Sequence, residues 1–449
     1  MLEDIIAIVL AGGVGGRLKP LTAVRSKPAV LFGGVYRLID FTLSNCINSG
    51  VRDIKVLAQY RSRSLIEHMK RAWDNILSYR VKEDIELVHS SKTDSDDWET
   101  LGTADAIRKN IYLTRESHKE RVLILAGDHV YKMDYRLMNQ FHNERKSPLT
   151  IATLEVPVER ARGDLGVLEV DEKGRIIGFE EKPLHPKTIP GKDTCIASMG
   201  IYLFDKDMLE KSLDNELLDF GKEVIPMLIN KGEPLFSYDF LSLNKIKEYE
   251  YFTQDNERVK VLCDCARDSG TWYDVGKLPD FYAANMDLVS PQPLFNLYGE
   301  KWPLFCAPVH LPPGKTVHDV DGRRGAAFNS LVSNGAIVSG ATVRRSIIGP
   351  LTYIHSWAVV EDSYLMGGEI IDNEHNETSI GRNCRIRNAI IDKNVVIPQG
   401  MTIGHDRNED ENINKFTVED LKEPTLSGGT YIVCIPKGWP NPEHEQWKK

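Results

Sequence analysis

No stretch of this 449-residue chain is apolar for long enough to span a bilayer; runs such as "IIAIVLA" fall far short. The opening "MLEDIIAIVLAGG" carries acids where a secretory leader carries bases, so the cytoplasm is the expected compartment. Cysteine is scarce. Seven residues, at 46, 195, 263, 265, 306, 384 and 434, form no even framework, which argues against a disulfide scaffold. The nearest pair, Cys263-Asp-Cys265, lacks the spacer and the second pair of a zinc site. There is no excess of positive charge: the net charge is −9, which gives nucleic-acid binding no support. What remains is the composition of an ordinary globular protein, long enough for two domains.

Two phosphate-binding fingerprints are also missing. No Gly-x4-Gly-Lys-Ser/Thr run exists, and the Gly-x-Gly-x-x-Gly test fails because Leu18 stands where the third glycine belongs. Yet "IVLAGGVGGRLKPLT" places Gly12, Gly13, Gly15 and Gly16 straight after a strand-like run, followed by Arg17 and, ten residues on, Lys27. Glycine costs backbone entropy on folding, so such a cluster implies close approach of something to the main chain. Backbone N–H groups there can line a polyphosphate while Arg17 and Lys27 offset its charge. A glycine-rich turn with two solvated bases is the blander account of the same residues.

Up to about Ser290 apolar runs alternate with helix-like segments. "DFTLSNCINSG" reads as a helix ending at Gly50, and "SRSLIEHMKRAW" has apolar residues at 65, 66, 69 and 73. "RVLILAGDHVY" is a buried strand running into Gly-Asp-His. This rhythm predicts an α/β fold, a Rossmann-like, mostly parallel sheet covered by helices, with ligands at the carboxyl ends of its strands. "SPQPLFNLYGEKWPLFCAPVHLPPGK" carries six prolines and no period, the expected linker. Beyond it apolar residues recur at Ile337, Val343, Ile348, Ile354 and Val360. They recur again at Ile380, Ile386, Ile391, Ile397 and Ile403. Steps of five and six predict a parallel β-helix of hexapeptide type. The expected domains are therefore 1–290, a linker 291–320, and 321–449. "GHDRNEDENINKF" reads as a solvated loop, and the final "PKGWPNPEHEQWKK" as a mobile tail.

Two acids stand out from the charged surface. Asp128 follows "RVLILAG" and Asp274 lies in "GTWYDVGKL", each between apolar and glycine segments. Two carboxylates beside a triphosphate suit Mg²⁺, which takes few protein ligands and keeps phosphate oxygens. Either alone also fits a helix cap or turn. "FEEKPLHP" and "ASMGIYLFD" add Lys182 and Ser198, whose bland readings are a charged turn and a strand-edge hydroxyl.

Together, "LAGGVGGRLKPLT", "RLIDFTLSNCINSG", "GTADAI", "LAGDHVYKMDY", "FEEKP", "SMGIYLFD" and "YDVG", followed by a hexapeptide region, resemble the bacterial ADP-glucose pyrophosphorylases over nearly the whole chain. The resemblance implies a nucleotidyltransferase domain with a left-handed parallel β-helix behind it. It implies that ATP and glucose 1-phosphate react to ADP-glucose and diphosphate, with Mg²⁺, for glycogen or another storage glucan. It assigns the phosphates to Gly12, Gly13, Gly15, Arg17 and Lys27, and the nucleotide to Gln59, Gly102 and Thr103. The metal falls to Asp128 and Asp274, and the sugar phosphate to Gly166, Glu181, Lys182 and Ser198. Arg25 and Arg37 match effector positions. A homotetramer is implied, with a paralogous subunit as the variation on it, and neither nucleic acid nor membrane as partner.

The chain departs from the family in places. Val14 and Gly16 stand where members carry Arg and Thr or Ser; Thr100 and Leu101 replace the usual Tyr before "GTADA". Val24 and Leu31 replace an effector-binding Lys and a nearby His, which predicts weak or altered control by sugar phosphates. Three alternatives stay open: a poorly catalytic regulatory subunit, a transferase for another sugar or base, and, least favoured, an acyltransferase using His355 or His375.

Overall fold

The computed structural model describes residues 2–13, 15–58, 63–80, 84–89, 101–307, 310–320, 322–371 and 374–440. Two compact units interleave along the chain. One comprises Met1–Gly13, Ile39–Trp272 and Tyr298–Phe305; the other comprises Val14–Leu38, Tyr273–Leu297 and Cys306–Lys449. No described helix is long and apolar enough to cross a membrane.

The first unit is built on nine strands: β1 (Leu2–Leu10), β2 (Val51–Ala58), β3 (Asp84–His89), β4 (Arg121–Ala126), β5 (Leu149–Pro157), β6 (Val167–Val170), β7 (Ile176–Glu180), β8 (Thr194–Asp205) and β9 (Phe236–Asp239). Their order is β7-β6-β8-β4-β1-β2-β3, with β5 pairing β8 and β9. The strands β4, β1, β2 and β3 run parallel, and β8 enters antiparallel to β4, β5 and β6. Strands covered on both faces must be apolar on both faces, and Ile5 to Val9 are all buried. One core joins Ile6, Ile8, Val122, Ile124 and Phe204 of the sheet to Ile107, Leu209, Ile225 and Leu228 of the helices. The helix expected over "DFTLSNCINSG" spans Leu38–Ser49 and stops at Gly50, which takes the left-handed φ of +81° that a side chain resists. Part of the proline-rich stretch returns to this unit. Trp302 is buried and donates from Nε1 to Asn45 Oδ1 (2.9 Å), while Glu248 accepts from the N–H groups of Glu300, Lys301 and Trp302.

In the second unit three ladders of parallel strands make a left-handed hexapeptide β-helix. The first stacks Lys315–Val317, Ile337–Ser339, Thr352–Ile354, Thr378–Ile380 and Val396–Ile397. The second stacks Ala326–Phe328, Thr342–Arg344, Val359–Glu361, Arg385–Arg387 and Thr402–Ile403. The third runs through Leu331–Val332, Ile347–Ile348, Tyr364–Leu365, Ala389–Ile391 and Tyr431–Ile435. Apolar columns fill the inside, Ile354 on Ile380 on Ile397 and Val360 on Ile386 on Ile403, all buried. The expected Ile337 is displaced by one. Val338 is the buried residue that stacks on Ile354, because it stands five residues before the buried Val343, whereas Ile354 stands six before Val360.

Two expectations for the C-terminal stretch fail. "GHDRNEDENINKF" contains a helix, Arg407–Asn412, capped by Asp406; Asp410 is buried and accepts from Gly404 N (2.9 Å) and Tyr431 Oη (3.0 Å). The stretch from Pro436 to Trp439 is fixed rather than mobile: Trp439 is buried against Phe416, and its carbonyl accepts from Val396 N at 2.9 Å. A charged sequence hid the first because its one buried acid is indistinguishable from its solvated neighbours. The residues beyond Pro440 lie outside those described.

Candidate functional site

In the first unit β1 and β4 end in register, Leu10 opposite Ala126, so two loops leave the same carboxyl edge. One carries Gly12 and Gly13; the other carries Gly127 and Asp128. Thr42 Oγ1 donates to Ala126 O (2.9 Å) and Gly127 N to Leu10 O (3.1 Å), which fixes the second loop. A Cβ at Gly127 would lie 3.2 Å from Val9 Cγ1 and 3.3 Å from Leu10 O, so the turn is tight against the strand. Asp128 keeps 29% of its side-chain surface exposed, with His129 Nε2 at 3.7 Å. A carboxylate on a rigid strand end and still open to solvent suits a hard cation that brings its own oxygen ligands.

The Gly102-Thr103 pair opens the helix Thr103–Lys109. The carbonyl of Leu218 accepts from Ala104 N (2.9 Å) and Asp105 N (3.0 Å), satisfying two of that helix's first amides. A Cβ at Gly102 would sit 2.2 Å from this carbonyl, so only glycine admits it. Thr103 Oγ1 donates to Asp219 Oδ2 (3.2 Å) and accepts from Phe220 N (3.1 Å). The next turn, Phe220–Val224, is a π-helix, a form that recurs at functional sites.

That turn closes on Glu181. A Cβ at Gly166 would lie 2.9 Å from Glu181 Oε2, and one at Gly221 would lie 2.4 Å from it. The carboxylate is therefore seated in a slot between two glycines, with Lys182 Nζ 3.5 Å from its other oxygen. Burial raises its pKa above the ordinary carboxylate range against the pull of Lys182; Asp219 adds to the rise and Lys222 opposes it. Lys182 takes a left-handed φ of +50°, a strained conformation that tends to mark ligand clamps. Ser198 N donates to Gly166 O (2.8 Å), and Ser198 Oγ accepts from Gly200 N (3.2 Å) inside a bulge of β8. Gly166, Glu181, Lys182 and Ser198 thus come together from distant stretches. They bring Asp219, Gly221 and the half-buried Tyr202, which sequence reasoning missed. The available signal was "LLDFGKEV": Asp219 accepts from Lys222 N (3.0 Å), while Glu223 accepts from Leu218 N (2.6 Å), a reciprocal cap readable as Asp followed by Glu.

The second unit holds the rest of the glycine loop. Gly15 has φ +60°, and a Cβ there would lie 3.0 Å from both Lys27 Cβ and Thr22 Cγ2. Thr22 Oγ1 donates to Gly15 O at 2.8 Å. The 3-10 turn Gly16–Leu18 buries Leu18 and leaves Arg17 exposed. Lys27 Nζ lies 3.3 Å from Asp274 Oδ1. A Cβ at Gly276 would lie 3.1 Å from that same oxygen and 3.4 Å from Arg17 Nη2, so both groups flank this glycine. Arg17, Lys27 and Asp274, far apart in sequence, therefore share one locality. Gln59 and Val14 lie outside the described residues.

Of the two effector candidates, Arg25 is buried and donates from Nη1 to Asp392 Oδ1 (2.8 Å); Arg37 donates to Ala29 O (2.9 Å). Neither Arg25 Nη2 nor Asp392 Oδ2 has a hydrogen-bond partner among the described residues. Beside them Glu369 is 3.5 Å from Lys393 Nζ, accepts from Asn394 Nδ2 (2.8 Å), and pairs with Lys437. Burial and then the field of Arg37, with Arg25 and Lys437 adding and Glu369 opposing, bring the Lys393 ammonium down to about 7. Lys393 and Lys437 were not singled out in the sequence, since "IIDKN" and "PKGWP" carry no motif.

Residues 6–290 match the nucleotidyl transferase family, and residues 312–421 match the GlmU-like C-terminal hexapeptide family. The glucose-1-phosphate adenylyltransferase of Trichlorobacter lovleyi is 43% identical over 440 residues, 97% of either chain. That of Shewanella baltica is 42% identical over 417 residues, 91% of either chain. That of Geobacter metallireducens is 43% identical over 410 residues, 90% of this chain and 93% of its own.

Proposed function

The chain belongs to the nucleotidyl transferase family, among its glucose-1-phosphate adenylyltransferases, and from that premise we propose that it converts ATP and α-D-glucose 1-phosphate to ADP-glucose and diphosphate for glycogen synthesis. The observation that carries the substrate is the Glu181 slot. A carboxylate fixed between Gly166 and Gly221 accepts from sugar hydroxyls, and the adjacent Lys182 ammonium meets the phosphate. Ser198 lines the same pocket.

The chemistry needs positioning and charge more than proton transfer. An oxygen of the sugar phosphate, already anionic at neutral pH, attacks the α-phosphorus of ATP in line, and diphosphate leaves. Gly12, Gly13 and Gly15 let the main chain approach the triphosphate, and Arg17 and Lys27 hold the charge that develops on the leaving diphosphate. Gly102 and Thr103 line the nucleotide, and Gln59 reads the adenine. Members of this class use a divalent metal. Asp128, in the loop at a strand's end, and Asp274, at the end of a short strand, fit it as carboxylates with open surface and would hold Mg²⁺, which when bound offsets phosphate charge.

In this reading residues 1–290 serve catalysis, 291–320 connect, and 321–449 serve assembly into a homotetramer and regulation. Arg25 and Arg37, joined by Lys393 and Lys437, form a cationic cluster suited to a phosphorylated effector. Buried free thiols at Cys46, Cys195, Cys384 and Cys434 fit the reducing cytoplasm.

The test is diphosphate release by the purified chain with Mg²⁺ and glucose 1-phosphate, comparing ATP, UTP, dTTP and GTP. Release with ATP, lowered about 10²–10³-fold or more in Asp128→Asn, is expected. A folded protein that releases none with any nucleotide would be a regulatory subunit instead.

A further inference from the structure

One vertex of the β-helix departs from its own repeat. In the third, fourth and fifth coils the corner between the first and second ladders has four residues: 355–358, 381–384 and 398–401. Its third position is left-handed each time, at Trp357 (φ +64°), Asn383 (φ +58°) and Gly400 (φ +77°). Asparagine and glycine tolerate that conformation; tryptophan does not, and strain kept in a fold points to a use for the side chain. The first coil instead carries a hairpin at this vertex, Asp319–Val320 paired with Arg323–Arg324. The second has only Gly340-Ala341.

The long corner, the short one and the next four-residue corner leave a cleft of about 390 Å³. Gly340 is its floor: a Cβ there would lie 2.7 Å from Arg323 Cγ. Trp357 is 47% exposed and is pinned, its Nε1 donating to Gly322 O (2.6 Å). Arg323 Nε donates to Ser356 Oγ (2.9 Å), and the Arg382 guanidinium stands 5.6 Å from the Trp357 ring. Arg323 and Arg324 line the cleft, and no carboxylate does among the described residues. Asp319 reaches Arg324 from outside the lining (2.6 Å).

We propose that this cleft binds a small phosphate ester carrying a ring, with the ring on the Trp357 indole and the phosphate on Arg323, Arg324 and Arg382. A held aromatic face takes a base or the apolar face of a pyranose, and guanidinium groups take phosphate through paired N–H donors. The volume falls in the range of small-molecule sites. Hexose phosphates and nucleoside monophosphates share this chemistry. The site is separate from the residues assigned to the reaction, so it stands or falls independently of it.

The experiment is hydrogen–deuterium exchange of the full chain, with glucose 6-phosphate, AMP or inorganic phosphate added. Saturable protection of the segments 317–325 and 354–359 by either ring-bearing ester is expected, with inorganic phosphate at least about tenfold weaker; which ester acts names the source. Trp357→Asn puts a corner-tolerant residue at the position and so keeps the backbone. It should weaken protection about tenfold to hundredfold, as should Arg382→Gln. Equal protection in Trp357→Asn, equal potency of inorganic phosphate, or no protection by any probe would overturn the proposal. So would segments already protected without ligand that open on dilution, because a second copy of the chain would then be the occupant.

Discussion

Arg25 and Lys27 stand two residues apart, and each meets an aspartate more than two hundred residues away, yet the two pairs differ in kind. Arg25 and Asp392 are 4% and 0% exposed and 2.8 Å apart; Lys27 and Asp274 are 8% and 18% exposed and 3.3 Å apart. Two charges taken wholly out of water depend on each other, because either alone would be buried without compensation. A longer pair whose aspartate keeps some open surface depends less on that one contact. The difference separates a cation that holds the structure from one that, in the proposed reaction, meets the leaving diphosphate.

Two substitutions test that separation, the larger first. Arg25→Ala leaves Asp392 buried and unpaired and should cost about 3–5 kcal/mol of stability, read from the denaturant midpoint. Lys27→Gln keeps a donor toward the partly open Asp274 and should move that midpoint by less, about 1–3 kcal/mol. Its turnover should instead fall about 10²–10³-fold, the usual loss when one donor to developing charge is removed. If the two variants lose stability alike, the distinction drawn from burial is wrong.

What the sequence made legible follows the same line between local and distant determinants. The loop of Gly12, Gly13 and Gly15 and the strand before Asp128 could be read because glycine run, apolar run and acid are contiguous. The β-helix could be read because its ladders repeat every five or six residues. The Glu181 slot was legible only through the family resemblance, which names Gly166 and Glu181 but not Gly221: the two glycines lie 15 and 40 residues from Glu181, and each alone looks like a turn. The pairing of Arg25 with Asp392 could not be read, since nothing local separates a base that will be buried from one that will be solvated. Even the periodic region misled at Ile337, where a step of five residues instead of six makes Val338 the buried one.

The cluster beside Arg25 sharpens the comparison through pH. With Lys393 held at about 7 and an unfolded lysine at 10.5, the unfolded chain binds the extra proton between these values. Stability therefore rises with pH across that window, and Lys393→Met should flatten the rise. Glu369 runs the opposite way at low pH. Although burial alone would raise it, Lys393 and Lys437 hold it at about 2. Its contribution is full above the ordinary 4.5 and is lost as pH falls toward 2. An anion bound among Arg25, Arg37, Lys393 and Lys437 would return the proton to Lys393. Affinity for inorganic phosphate or a sugar bisphosphate should then fall up to tenfold per unit above about pH 7, measured by titration calorimetry in buffers of different ionisation heat. Affinity independent of pH from 6 to 9 would remove Lys393 from that site.

The smallest effect belongs to Val24, which lies beside this cluster in sequence and is exposed. The family resemblance puts an effector-binding lysine there, so Val24→Lys adds a cation at a solvent-facing position rather than a buried one. An exposed charge contributes about 0.2–1 kcal/mol, so a sugar bisphosphate should reach half-maximal activation at a concentration up to about fivefold lower. Added salt should erase the gain while leaving basal turnover unchanged, because screening acts on exposed charges and hardly on buried ones. A gain that survives salt would mean that the new ammonium is enclosed on binding, as Arg25 already is. Full activation of the unaltered chain by the same ester would show that the buried cations suffice without position 24.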